Sequence, residues 1–369
     1  MKFTCDRDVL SAAIVKAARS CAQKSTIPAL EGILVEAGNR VTLTGFDLKR
    51  GIYTTIDANV PQPGSIVLPT RLFGEIVRRF PEGEVTVRTD SEFTTVISCG
   101  KSEFKIIGLD PEDYPILPDV DCRNNLSLPQ GTLREIINET LFAVSDNEAR
   151  PVYTGALFDV ENDELTLVAV DGYRLALRRE SLEKCDMESG RFIVPGYALS
   201  DVEKICTDET EPVVIHVGEK HISFTAGDTV LISRRIDGEF LNYKNSIPRD
   251  FAVNVKVSRA ELAQVVDRVS LIILDKIKSP LRFTFGQDHI RVVCSTSVGN
   301  AEDFCFAEGD GNGLEIGFNN RYMMDALKNA PADELILHLN TGSTPCVITA
   351  SDDSDKFTYM ILPVRLRAD

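Results

Sequence analysis

The 369-residue chain reads as an α+β protein made of three tandem copies of one unit, each with two helices and antiparallel sheets. Three observations predict this. A helix-period apolar pattern recurs at about one third of the chain, and a strand-break-helix pattern recurs at the same interval. Paired runs of alternating residues follow every helix.

The first helix of each unit is marked by Leu10, Ile14 and Ala17, then Leu133, Ile136, Ile137 and Leu141, then Leu262, Val265, Val266 and Val269. Their leading leucines are 123 and 129 positions apart. The second helices follow strands in IVLPTRLFGEIVRRF from Ile66, FIVPGYALSDVEKIC from Phe192 and EIGFNNRYMMDALKN from Glu315. Taking Pro69, Pro195 and Phe318 as equivalent gives offsets of 126 and 123, so two independent landmarks agree on the period. After the first helices come the alternating pairs GILVEAGNRVTLTGFD, GALFDVENDELTLVAVD and LRFTFGQDHIRVVCST. After the second come EVTVRTDSEFTTVISC, PVVIHVGEKHISFTAG and ELILHLNTGSTPCVITAS, with turn residues between the runs as hairpins require. Polar, turn-prone stretches at Asp119 to Asn125 and Ser246 to Phe251 put the domains at 1–120, 121–248 and 249–369, each large enough to own a core.

Forty Lys and Arg against 56 Asp and Glu give a net charge of −16, which excludes an ordinary surface-adsorbing nucleic-acid binder. The charge is unevenly placed. The six helix windows hold 11 basic and nine acidic residues, leaving 29 basic and 47 acidic residues for everything else. Helices turned towards something anionic would account for this, and so would the mixed solvent faces of amphipathic helices.

No window approaches the roughly 18 apolar residues of a membrane span, and MKFTCDRDVL is charged where a secretory signal would be apolar. The expectation is a cytoplasmic protein with no membrane contact. Nine cysteines, never closer than 11 positions, read as reduced and mostly buried. No phosphate loop, HExxH or GxSxG occurs, and His216, His221, His289 and His338 lack metal-ligand spacing. Ser181 to Lys184 fits SxxK and Ser145 to Asn147 fits SDN, but their order is reversed and KTG is missing. No enzyme, cofactor or metal is expected. Asp47 and Asp171 occupy matching strand ends 124 positions apart, and a repeated structural turn explains them as well as a site does.

The opening MKFTCDRDVL, TIPALEGILVE with LTGFDL, IVLPTRLFGEIVRRFPEG, RPVYTGALF with VAVDGYRLAL, FIVPGYALSDV, ISRRIDGEFLNY and YMILPVRL together resemble the bacterial DNA polymerase III beta subunit, the sliding-clamp family. The resemblance runs through all three units in order. It implies DNA-clamp domains in a head-to-tail homodimer, a ring around double-stranded DNA with helices lining the hole and sheets outside. Such a ring holds DNA by topology, so an acidic exterior is compatible with it. The contrasting reading is an acidic repeat scaffold that binds protein motifs without DNA.

By the same resemblance, Lys24, Arg71, Asn147 and Arg150 face phosphate. Lys24 stands where Arg is common in the family, and Gly196 and Tyr197 stand where some members carry basic residues. A pocket for short motifs of the DNA polymerase III catalytic subunit, the clamp loader, other polymerases and repair proteins is implied. Its residues are Tyr153, Val170, Gly172, Tyr173, Arg174, Leu175, Leu241, Ile277, Met360, Leu362, Pro363, Val364, Arg365 and Leu366. Leu241 replaces a common Pro, and Asn245 an Arg of some members. Read without the family, YMILPVRL is a terminal strand with a proline near an edge. For the subunit boundary the candidates are Phe104 and Ile106 against Leu271, Ile272 and Ile273, with Lys101 and Lys105 facing Glu302 or Asp303. Packing within their own domains is the competing account.

Overall fold

The computed structural model describes residues 1–121, 123–273, 279–352 and 354–366; Ile277 of the expected pocket lies outside the described residues, as do Cys122, Asp353 and Arg367. The predicted helices are all present: α1 (Arg7–Ala18), α2 (Thr70–Arg79), α3 (Gln130–Leu141), α4 (Gly196–Ile205), α6 (Arg259–Ser270) and α7 (Asn320–Asn329). A single extra turn, α5 (Tyr243–Ser246), falls between the second and third units. Local chemistry starts these helices where the chain leaves a strand. Asp6 Oδ1 accepts from the Asp8 and Val9 amides at α1, and Asn319 Oδ1 from Arg321 and Tyr322 at α7. The helix starts make Asn319 the counterpart of Pro69 and Pro195, one residue on from the Phe318 expected from sequence. The predicted apolar stripes face inward: Leu10, Ala13, Ile14 and Ala17 of α1 and Leu262, Val265, Val266 and Val269 of α6 are buried.

The chain forms two compact units, and they do not coincide with the thirds. The first comprises 1–134, 183–187 and 197–235, the second 135–182, 188–196 and 236–369. The central third is thereby shared between the two units, while the apolar core from Met1 to Ile106 lies within the first third. The physical cause is strand pairing, because each sheet runs on through hydrogen bonds into the sheet of the next repeat.

In the first unit a five-stranded sheet has the order Asn59–Gln62, Lys2–Asp6, Glu84–Thr89, Thr94–Cys99, Ser102–Ile107. A nine-stranded sheet has the order Lys184–Cys185, Asn125–Pro129, Pro212–Val217, His221–Ala226, Thr229–Arg234, Arg50–Ile56, Val41–Phe46, Gly32–Ala37, Gly64–Pro69. Its seam is the antiparallel pairing of Thr229 with Thr54 through Ser233 with Arg50. The second unit holds one twelve-stranded sheet, in which Arg174–Ser181 pairs with Phe357–Ile361 in the same way, Leu175 opposite Met360. In both seams the third strand after a first helix joins the last strand of the next repeat.

The repeat rule leaves two strands without such a partner among the described residues. Ser102–Ile107 ends its sheet and pairs only with Thr94–Cys99. Gly299–Glu308 pairs along one side with His289–Thr296, and on the other meets Val253–Ser258 only through Ala307 and Glu308. Among the described residues no helix is long and apolar enough to cross a membrane. The eight described cysteines are free; burial pushes the Cys5 and Cys206 thiols up to about 12 and that of Cys305 up to about 11.

Candidate partner pocket and nucleic-acid face

Alternation along the strands of the second unit turns Leu157, Val168, Val170, Leu175, Leu177, Val347 and Met360 into one apolar cluster. The stretch 236–251 packs on it through Ile236, Phe240, Leu241, Tyr243, Ile247 and Phe251. Tyr243 is pinned there, its hydroxyl donating to Asp159 Oδ2 at 2.8 Å. Tyr153 packs edge-on against Phe240, ring centroids 5.7 Å apart. Five expected residues, Tyr153, Val170, Leu175, Leu241 and Met360, thus share a single apolar site. Val170, Leu175 and Met360 are buried and form its floor, while Tyr153 and Leu241 remain partly open.

Gly172 and Tyr173 form the turn at the end of this floor. Gly172 has a φ of +94°, a left-handed conformation that favours glycine; its counterpart Leu48 adopts the same region at +69°. Asp171 Oδ1 accepts from the Tyr173 and Arg174 amides, as Asp47 Oδ1 does from Lys49 and Arg50. The repeated aspartates are therefore turn-formers, and their second oxygens hold the neighbouring arginines. Arg174 is largely buried, donating through Nε to Asp171 Oδ2 and through Nη1 to Asp325 Oδ2, with its guanidinium 4.5 Å from the Tyr322 ring centroid. It is consumed by these contacts and not offered to a ligand as a free cation.

The C-terminal stretch closes the other side. The Leu362 amide donates to Tyr173 O and the Val364 amide to Gly317 O, both at 2.8 Å. Leu366 lies close to Gly317, where an added Cβ would stand 2.8 Å from Leu366 Cδ2. Leu362, Pro363 and Leu366 are half-buried, whereas Val364 and Arg365 are exposed. Sequence reasoning missed Val152, Phe240 and Tyr322, the last stacked on Tyr173 at 6.3 Å. A signal existed, since Asp201 and Asp325 on the second helices repeat with the same 124-residue offset as Asp47 and Asp171.

The four candidate phosphate contacts are exposed, two in each compact unit. In the first, Lys24 follows α1 and Arg71 lies in the first turn of α2, whose last turn carries Arg78 and Arg79, which both reach Glu75. In the second, Asn147 and Arg150 lie in the turn before Pro151–Tyr153, where Asn147 Oδ1 accepts from Ala149 N. Lys24 and Asn147 are repeat counterparts, each a few residues before a proline-led 3₁₀ turn.

At the expected boundary, Phe104 and Leu271 are exposed, and Ile272 and Ile273 partly so. Ile106 is only 8% exposed and packs into the core of the first repeat, as the competing account of packing within its own domain has it. The acids have partners within the chain. Glu302 is held by Arg291 at 2.7 Å and Asp303 by Arg268 at 2.6 Å, so neither waits as an unpaired carboxylate for Lys101 or Lys105. These guanidinium hydrogen bonds hold both acids below the usual carboxylate range.

Three like α+β units in tandem, fused sheet to sheet through antiparallel seams, with an apolar cluster beside the second seam, define a clamp-type protein. Family models match the chain in three consecutive blocks: the N-terminal domain of the DNA polymerase III beta subunit over residues 1–118, its central domain over 127–242 and its C-terminal domain over 244–365. The chain belongs to the DNA polymerase III beta subunit family, the sliding clamps of bacterial replication. It is 33% identical to the beta sliding clamp of Staphylococcus epidermidis over 376 residues, covering 99% of each chain. The solved DNA polymerase sliding clamp of Bacillus subtilis superposes with a TM-score of 0.94 at 32% identity over 100% of both chains. The Pseudomonas aeruginosa DNA polymerase III subunit beta, solved bound to griselimycin, gives 0.93 at 26% identity over 99% of this chain and 100% of that one.

Proposed function

We propose that this sliding clamp acts as a head-to-tail homodimer of domains 1–120, 121–248 and 249–369, closing a ring around double-stranded DNA without catalysing a reaction. The observation that carries the assembly is the pair of strands the repeat rule leaves over. Both seams within the chain join a third strand to the last strand of the following repeat. Gly299–Glu308 is the third strand of the last repeat and Ser102–Ile107 the last strand of the first. Each carries exposed aromatic or aliphatic side chains, Phe304 and Phe306 on one and Phe104 and Ile107 on the other. Pairing them between two copies is a heterologous contact that closes after two subunits and covers both edges.

In this reading Lys24, Arg71, Asn147 and Arg150 meet phosphates, and the apolar site captures short motifs of the polymerase catalytic subunit, the clamp loader, other polymerases and repair proteins in the cytoplasm. Two apolar anchors suit the floor and rim, and exposed Arg365 suits a carboxylate of the motif. Two pockets per ring keep a polymerase at high effective concentration beside its primer end.

The deciding experiment loads the protein on circular DNA and then linearises it. Retention on the circle with release on cutting is expected; equal release from circular and linear DNA would favour a scaffold that binds motifs without enclosing DNA.

A further inference from the structure

The charged cluster around Arg174 occurs twice in the chain with the same groups around the guanidinium. The carboxylates are hydrogen-bonded in the second unit but only ion-paired in the first, where Arg50 Nη1 donates to Tyr197 O at 3.1 Å. In the second unit Arg174 Nη1 donates to Asp325 Oδ2 at 2.6 Å, Nη2 to Phe142 O at 2.5 Å and Nε to Asp171 Oδ2 at 2.9 Å. In the first, Arg50 Nη1 stands 2.9 Å from Asp201 Oδ2, Nη2 donates to Arg19 O at 3.2 Å, and Nε lies 3.5 Å from Asp47 Oδ2. Each guanidinium also covers a tyrosine ring of the second helix, Tyr322 at 4.5 Å and Tyr197 at 4.9 Å. An arginine on the seam strand thus clamps the second helix of the next repeat twice over.

What lies beyond the clamp differs. In the second unit the clamped tyrosine stacks on Tyr173, which is 62% exposed and whose carbonyl receives the Leu362 amide. At the first seam the counterpart of Tyr173 is Lys49, and that of Leu175 is Gly51. The chain's own Leu117 fills the space over Gly51, where an added Cβ would stand 2.7 Å from Leu117 Cδ2. Only one of the two clamps borders an open apolar site.

We propose that Asp325 is a positioning residue for partner capture: through Arg174 it fixes Tyr322 and the Asp171 to Tyr173 turn as the rim of the pocket, while Asp201 performs the same clamp where no pocket is open. In this role Asp325 acts through Arg174 and not on the motif itself. Its carboxylate holds the guanidinium 4.5 Å from the Tyr322 ring centroid, and a forked arginine contact transmits orientation as well as charge. Loss of that partner frees one arm of Arg174 and unties helix α7 from the turn, so a motif must order the rim at its own expense on binding. The inference rests on the pocket reading given above.

The test uses the full-length protein, its Asp325→Asn and Asp201→Asn variants, and a synthetic peptide carrying adjacent leucine and phenylalanine anchors and one carboxylate. Asp325→Asn is expected to weaken the peptide about fivefold to tenfold, the size of one charge-assisted contact. Asp201→Asn should leave affinity within about twofold, as for an independent site. Hydrogen exchange at the Leu362 and Arg174 amides should accelerate in Asp325→Asn alone. Unchanged exchange at both amides, or an equal affinity loss in Asp201→Asn, would overturn the positioning role. A wild-type protein that fails to bind the peptide removes the pocket reading, and the exchange rates still decide whether Asp325 fixes the turn. If Asp325→Asn does not fold, Arg174→Lys takes its place, expected to accelerate the same exchange because an ammonium cannot hold both carboxylates and the Phe142 carbonyl in one plane.

Discussion

The Tyr243 hydroxyl donates a 2.8 Å hydrogen bond to Asp159 Oδ2, tying the stretch between the second and third repeats to the face of the twelve-stranded sheet. Tyr243 is 2% exposed, and its ring sits in the apolar cluster that continues into the candidate pocket. Burial, and then the Asp159 carboxylate, push its phenol well above the ordinary range. Tyr243→Phe keeps the packing and leaves Asp159 to the more distant Lys244 and Arg191 cations at 3.8 Å. It should cost about 1–3 kcal/mol in urea unfolding, the range for a lost bond to a charged partner.

Leu362 and Met360 separate rim from floor. Met360 is buried opposite Leu175, so Met360→Ala should lower stability by about 2–4 kcal/mol and confound a binding test. Leu362→Ala changes a half-buried rim residue and should reduce motif-peptide affinity by about 1–2 kcal/mol with little change in melting temperature. Titration of the peptide with each variant, beside a thermal scan, separates the two effects.

The Asp201 carboxyl is pushed up by burial against the opposing pull of Arg50 and Arg19. A folded-state value above the unfolded one means that the folded protein holds this proton longer. Its contribution therefore falls as pH rises from the ordinary carboxylate value of 3.8 through the raised one. Subtracting the stability of Asp201→Asn from that of the wild type across this range should give a difference that declines with pH. A difference that grows with pH would mean the arginines outweigh burial.

Lys24→Ala combined with Arg71→Ala removes two exposed cations of the first compact unit. If both meet phosphate, the slope of log affinity for duplex DNA against log salt should shrink by about 2. Peptide binding should not change.

In the proposed ring the subunit boundary would differ from the seams inside the chain. The counterparts of Asp171 and Arg174 in the third repeat are Thr296 and Gly299, and Glu75, the counterpart of Asp325, is bound by Arg78 and Arg79. Dilution should therefore separate folded subunits before either internal seam opens. Phe104→Arg, on the exposed edge strand, should shift native mass to the monomer at concentrations where the wild type is dimeric, while leaving the melting temperature of the subunit within a few degrees.

Much of the fold was legible because its signals are local. Apolar spacing at period 3.6 or 2 depends on neighbours a few residues away, so Leu10 to Ala17, Leu262 to Val269 and the six hairpins could be placed from the chain alone, and so could the threefold repeat. Which of the equivalent residues does what could not. Ile106 and Phe104 lie two apart on one strand and so share a face, yet Ile106 is buried in the core of the first repeat while Phe104, its ring against Phe80, stays 46% exposed. Arg50 and Arg174 read alike, and it took Leu117 lying over Gly51 to close the first site and leave the second open. The sequence determined three α+β units, their helices and their family. The tertiary structure alone decided that the units fuse through their seams into two compact bodies and that Arg174 is spent on Asp171 and Asp325, because pairing between strands over a hundred residues apart leaves no periodic trace in either strand.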